Sequence, residues 1–237
     1  VTDVRFGFLN ALHLKFNPGD TSLKSDLRSW LISAEFRKIL DAASDNNRLI
    51  GALITLTYSD DPLLGWRAID AISRCAEHLA PIRPEVLEKY LHRLFWMMTD
   101  ESGSIAPRAP EIIGEIVRSN PDKFSDFIPL TVSLMHLEPE DKPMFLAGIL
   151  YALGRIGEAA AGRIEGSIDG IETALSDPGS QARAMAVWCL GRIGRHDILL
   201  RHSELEQDYG KAQLYHEERL LDTTVGELYK RTLQARC

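Results

Sequence analysis

Four pairs of side chains stand four residues apart along the chain: Asp70 and Arg74, Glu111 and Glu115, Tyr151 and Arg155, Trp188 and Arg192. Residues four apart share one helix face, so each pair can act from a single surface. Their chemistry is that of binding: guanidinium groups offer planar donors to carboxylates, and aromatic rings offer large area at low entropy cost. Catalytic patterns are not found beside them. The seven histidines, His13, His78, His92, His136, His196, His202 and His216, include no pair at helical four-residue spacing and no HExxH. No serine, cysteine or threonine stands in a G-x-S-x-G elbow, and neither a P-loop nor G-x-G-x-x-G occurs. The acidic pairs Asp60-Asp61, Asp100-Glu101 and Glu140-Asp141 could be carboxylate sites, but they also suit helix starts, where a carboxylate meets the positive end of the helix dipole.

The elements that must position these pairs are set by a repeat. LGRIG is spelled at 153–157 and again at 190–194, and ISRCA and IGEIV align with it. Their markers Ser73, Gly114, Gly154 and Gly191 lie 41, 40 and 37 residues apart. A period of about 40 with small length changes is the mark of a stacked array. Each unit carries two amphipathic stripes: Leu146, Ile149, Leu150, Leu153 and Ile156 form one around a marker. Val86, Leu87, Tyr90, Leu91 and Leu94, and Phe127, Leu130, Leu134 and Leu137, form others between markers. A glycine costs about 1 kcal/mol against alanine inside a helix, so a recurring one implies a close helix–helix contact.

Helix starts agree with this division. Asp61-Pro62 and Asp177-Pro178 each place a capping carboxylate before a proline at the first helical position. Pro107 and Pro110 suit the start of the second unit. Strand signals are poor; LITLTY at 53–58 is the best, and LIGALITL fits a buried helix equally. The expected class is all-α: an α-α superhelix, a right-handed solenoid of helix pairs, with helical caps at both ends.

The pattern D-P-x(4)-R, then small and aliphatic residues, then LGRIG, resembles HEAT-type repeats, in particular the phycobilisome-lyase-like set. The segment WMMTDESGSIAPRAPEIIGEIVRSNP also resembles a narrower prokaryotic group of such proteins. In the family an Asp in the turn and an Arg six residues later form a ladder along the stack. Asp61/Arg67 and Asp177/Arg183 match it, Asp100/Ala106 lacks the Arg, and Glu140/Leu146 keeps only an acid. The resemblance, over roughly 35–200, implies that the second helix of each unit lines a concave surface. The four pairs would then trace a stripe about 30 Å long, acidic in its middle and aromatic-cationic toward the C-terminus. The same columns could serve packing instead, with arginines bridging neighbouring repeats and rings filling gaps. A di-iron enzyme class built on such repeats, deoxyhypusine hydroxylase, uses several His-Glu dyads. This chain has one, His216-Glu217, outside the repeats.

Terminal repeats must differ from the middle, having one face without a neighbour. Residues 1–45 read as an N-terminal cap with Trp30, Leu31, Phe36, Ile39 and Leu40 as its apolar side, 46–200 as repeats, and 201–237 as a C-terminal cap, all within one domain. There, T-V-G-E at 224–227 is a capping-box pattern before a helix packing through Val225, Leu228, Tyr229 and Leu233, and RHSELEQDYGKAQ reads as a solvated connection.

Composition bounds the function. Apolar residues make up 45%, enough for a large core, and 27 Lys+Arg against 34 Asp+Glu give a net charge of −7, which disfavours a phosphate-tracking surface and makes nucleic acid an unexpected partner. Cys75, Cys189 and Cys237 are odd in number and far apart, so no disulfide framework or zinc site is indicated, and Cys75 and Cys189 sit in apolar runs. FGFLNALHL is too short to span a bilayer. The expectation is a cytoplasmic, non-catalytic module binding a protein or peptide on its concave face, without cofactor, metal or membrane. A lyase-like or cofactor-handling component is the alternative.

Overall fold

In the computed structural model, the described residues are 18–44, 46, 48–99, 106–138 and 142–235. The acidic pairs at 100–101 and 140–141, His13 and Cys237 lie outside them. The helices are α1 Pro18–Ile32, α2 Phe36–Ala43, α3 Leu49–Leu56, α4 Pro62–Leu79, α5 Pro84–Thr99, α6 Ala109–Ser119, α7 Phe127–Ser133, α8 Lys142–Ile156, α9 Glu158–Ala161, α10 Ile168–Thr173, α11 Ser180–Arg192, α12 His196–Leu199 and α13 Val225–Gln234. Residues 49–56, the best strand candidate, are helical because LIGALITL is buried on nearly every side, which strand alternation would not allow.

The molecule is an all-α solenoid of stacked helix pairs. Its inner row runs α4, α6, α8, α11, α13, each packed on the next, while α5, α7, α9–α10 and α12 form the outer row. The marker column explains the stacking. Ser73 on α4 donates to Glu115 of α6 at 2.7 Å. A Cβ on Gly114 would lie 2.5 Å from Ala152 Cα of α8, and one on Gly154 would lie 2.5 Å from the Trp188 ring and 3.2 Å from Cys189 Cα of α11. One on Gly191 would collide with Thr232 of α13. Each marker therefore sits where the next inner helix comes closest, as the glycine cost implied. Cys75 and Cys189 are buried in this row, and burial pushes both thiols up to about 12.

Several local expectations need refinement. Asp61 does cap α4, accepting from the amides of Leu63 at 3.0 Å and Leu64 at 3.4 Å, with Pro62 at the first position. Asp177 does not cap a helix at Pro178. It accepts from Gly179 N at 2.8 Å, and α11 starts only at Ser180, so the carboxylate closes the turn before the helix. Neither arginine of the six-residue spacing meets the carboxylate before it. Arg67 donates to the carbonyls of Leu31 and Ile32 at the end of α1, and Arg183 to the carbonyls of Asp177 and Pro178 and to the Asp208 carboxylate. In both cases the free carbonyls at a helix end or turn attract the guanidinium first. Leu130 is exposed, because α7 buries the stripe Phe127, Ile128, Thr131 and Val132 and Leu130 falls on its far side.

The C-terminal cap departs furthest from expectation. Its last helix, α13, begins with the capping box: Thr224 Oγ1 accepts from Glu227 N at 3.2 Å, and the Glu227 carboxylate accepts from Thr224 N at 3.2 Å. Before it, the stretch read as a solvated connection forms a 3-10 turn at Ser203–Gln207 that buries Leu205, and its last three residues open an antiparallel hairpin, β1 Lys211–His216 paired with β2 Arg219–Thr224, in register from Lys211↔Thr224 to His216↔Arg219. Its two-residue turn puts Glu217 at φ 48° and Glu218 at φ 63°. Tight hairpin turns of this hand favour Asn-Gly or Gly-Gly, so Glu-Glu hides the turn from the sequence. No helix among the described residues is long and apolar enough to cross a membrane.

Candidate interaction groove

Helical periodicity on α4 places Trp66, Asp70 and Arg74 one above another; α8 does the same with Tyr151 and Arg155, and α11 with Gln181, Met185, Trp188 and Arg192. Trp66 and Tyr151 meet edge-on with ring centroids 5.1 Å apart, although α6 lies between their helices. Neighbouring helices pack about 8–10 Å apart, so a flat row would hold these rings much further from each other. This face is concave. Tyr151 in turn stacks on Trp188 at 5.4 Å and 12°, giving an aromatic path from α4 to α11.

Glu115, only 2% exposed, is the polar hub of the floor. It accepts from the Tyr151 hydroxyl at 2.6 Å, from Ser73 at 2.7 Å, from Arg118 Nε at 3.2 Å and from Arg155 Nη2 at 3.0 Å; Arg155 Nε also lies 2.7 Å from Oε1. Burial pushes this carboxyl's pKa up, but the Arg155 charge and the bonds from Arg155, Tyr151 and Ser73 outweigh it and hold the pKa below the ordinary value. The same burial, with Glu115 beside it, drives the Tyr151 phenol far above its usual range. Glu111 is different. One oxygen accepts from Arg108 at 2.9 Å, the other has no hydrogen-bond partner among the described residues and occupies the space a Gly148 side chain would need, and burial raises its pKa.

Over this floor lies the hairpin. At its root, the Gln181 side chain donates to the carbonyl of Gln213 at 2.9 Å and accepts from its amide at 2.8 Å, as a neighbouring strand would. Further out, Tyr215 stacks flat on Trp66 at 5.7 Å and 6°, and its hydroxyl donates to Asp70 at 2.9 Å. Burial and the Asp70 charge raise the Tyr215 phenol pKa strongly. At the tip, Glu218 accepts from Arg74 at 2.7 Å; the same guanidinium also donates to Asp70 at 2.9 and 3.2 Å and lies over the Phe36 ring. Two cavities remain between hairpin and floor. One of about 170 Å³ is bounded by Arg74, Arg155, Tyr215 and Glu218, the other of about 220 Å³ by Trp66, Arg108, Glu111 and Gln213.

The eight residues nominated from the sequence therefore divide. Asp70, Arg74, Tyr151 and Arg155 converge beneath the hairpin, and Asp70 and Arg74 bond to it directly. Glu111, Glu115 and Tyr151 are buried, so the acidic middle of the stripe is a structural floor paired to arginines and is not presented at the surface. Trp188 is half-buried against Tyr151 and Gly154, and Arg192 is exposed one turn on, with no ion pair among the described residues. Sequence reading missed Trp66, one turn before Asp70 on the same face, which extending the column would have found. It also missed Arg108, Gln181, Tyr215 and Glu218, which the repeat does not mark. His216 and Glu217, the lone dyad, sit exposed at the hairpin turn with nitrogen and oxygen 3.7 Å apart.

No family model matches the chain. An uncharacterized protein of Archaeoglobus fulgidus is 28% identical over 158 residues, covering 65% of this chain and 81% of that protein. Among solved structures, the designed armadillo repeat protein YIII(Dq)4CqI aligns over 97% of this chain and 98% of its own at 16% identity, with a TM-score of 0.48, a loose likeness that carries no weight for function.

Proposed function

We propose that this chain is a non-catalytic interaction module, built from HEAT-type repeats and working in the cytoplasm, that binds a protein or peptide segment on its concave face. One observation carries the reading: the groove already holds a polypeptide segment, its own hairpin, through main-chain, aromatic and ionic contacts of the kind interfaces use. The open end of the same groove offers Trp188 and Arg192, an aromatic ring and a planar cation one helical turn apart. Solenoids create extended curved surfaces of this type by stacking. Capture from extracts of the native source, with wild type beside Trp188→Ala/Arg192→Ala, tests the reading. Arg192→Glu serves as a second variant that leaves the core untouched, since that side chain is exposed. The partner should be lost with either variant while helix content stays intact. Undiminished capture by both would contradict it.

A further inference from the structure

The hairpin is held by contacts that another segment could supply. Its two strands pair only with each other among the described residues, and an isolated two-stranded hairpin is marginal in water. Both turn residues sit in the left-handed region that side chains other than glycine seldom adopt. What fixes it to the groove is a set of recognition groups on the inner helices. Gln181 reads one residue's main-chain amide and carbonyl. The flat face of Trp66 and the Asp70 carboxylate read a phenol, and Arg74 reads a carboxylate three residues further on. The fit is loose, leaving cavities of about 170 and 220 Å³ beneath. Its root is firm on both sides: Asp208 is clamped by Arg183 at 2.7 and 3.1 Å, and Thr224 by the capping box. The tip is thus held by contacts separate from those that anchor the root.

We infer that the hairpin is an intramolecular stand-in for the partner, and that the groove takes a turn-tipped segment of another protein presenting a tyrosine followed three residues later by a glutamate or aspartate. This rests on the groove reading above and specifies the partner's chemistry. The acidic position rests on one specific contact: the floor balances Arg74 and Arg155 against Asp70 and Glu115, yet Arg74 still holds Glu218 at 2.7 Å beside its pairing with Asp70. Because hairpin and partner compete for the same groups, the docked hairpin lowers apparent affinity by the fraction of time the groove is open.

The test uses a synthetic peptide of residues 209–224 (YGKAQLYHEERLLDTT) titrated calorimetrically into the full chain. Wild type should bind it weakly, and Tyr215→Ala/Glu218→Ala, which releases the tip, about tenfold tighter or more. Adding Arg74→Glu to the released variant should abolish binding, with circular dichroism showing unchanged helix content. Equal affinity for wild type and released variant would overturn the inference, as would binding indifferent to Arg74→Glu. So would dimerisation of the released variant in the ultracentrifuge without peptide binding, which would assign the groove to a second copy. A released variant that ignores the peptide yet still captures its partner through Trp188 and Arg192 would overturn the stand-in while leaving the groove reading in place.

Discussion

Tyr215 donates its hydroxyl to Asp70 at 2.9 Å across 145 positions of sequence, tying the last unit of the array to its first inner helix. A stacked array normally connects each unit only to its neighbours. Here a hairpin inserted before α13 crosses the concave face and closes the ends upon each other.

That bond should govern how often the tip lifts. Tyr215→Phe keeps the ring on Trp66 and removes one hydrogen bond to a carboxylate, worth about 1.5–3 kcal/mol. Hydrogen exchange of the amides at 211–224 should accelerate by about tenfold or more, while α8 and α11 keep their protection. Equal acceleration in the inner helices would mean that the hairpin opens only with the whole fold.

Glu115 should matter more to the fold than to any partner. Glu115→Ala strands Arg155 beside an empty site, while Arg118 keeps its pair to Glu77 at 2.6 Å, and breaking a buried ion pair costs about 3–5 kcal/mol. Both arginines are 29% exposed and can rehydrate in part, so the low end is expected, about 3 kcal/mol by urea unfolding. A loss under about 1 kcal/mol, the range of surface pairs, would show that the hub is not the keystone drawn above.

The two buried glutamates should respond to pH with opposite sign. Glu115 has a folded pKa below its unfolded value, so it stabilises above the unfolded pKa of about 4.3 and loses that contribution as pH falls through the folded value. Glu111 has a raised folded pKa, so it penalises the folded state at neutral pH, and the penalty is relieved as pH falls through that value. Glu111→Gln should therefore raise the urea midpoint at pH 7, with the gain shrinking toward pH 4. Glu115→Gln should lower the midpoint at pH 7 and flatten its fall in acid. Parallel pH profiles for the two variants would refute the assignment.

The marker column predicts a contrast between glycines. Gly114→Ala drives a Cβ to 2.5 Å from Ala152 Cα. Overpacking of about 1–3 kcal/mol then outweighs the helix-propensity gain of about 1 kcal/mol, for a net loss near 1 kcal/mol. Gly170→Ala meets only the Met135 methyl at 3.4 Å and should be neutral or stabilising. Similar melting temperatures for the two would remove the close-contact account of the repeat.

Much of this was legible because repetition turns one contact into a column. The marker residues and the Trp188/Arg192 face emerge from spacing alone, since a stacked array must put equivalent residues at equivalent places. Asp177 and Arg183 keep the six-residue spacing of the resemblance, yet Asp177 accepts from the Gly179 amide and Arg183 donates to local carbonyls, something spacing cannot register. The hairpin was hidden for two reasons. Its Glu217-Glu218 turn lacks the residues that announce one, and its anchors are single long-range contacts from Gln181, Trp66 and Arg74 that nothing repeats. Tyr151 and Glu115 were found in the right columns but turned inward, because the curvature that makes the face concave also buries its middle.

The central claim, that partners dock on the concave face, is tested most directly by hydrogen exchange on the chain bound to its captured partner. Protection should be gained along α4, α8 and α11 and lost across 211–224 as the hairpin yields its place. Protection gained on α5 and α7 alone, with the hairpin amides unchanged, would place the interface on the outer row and contradict it.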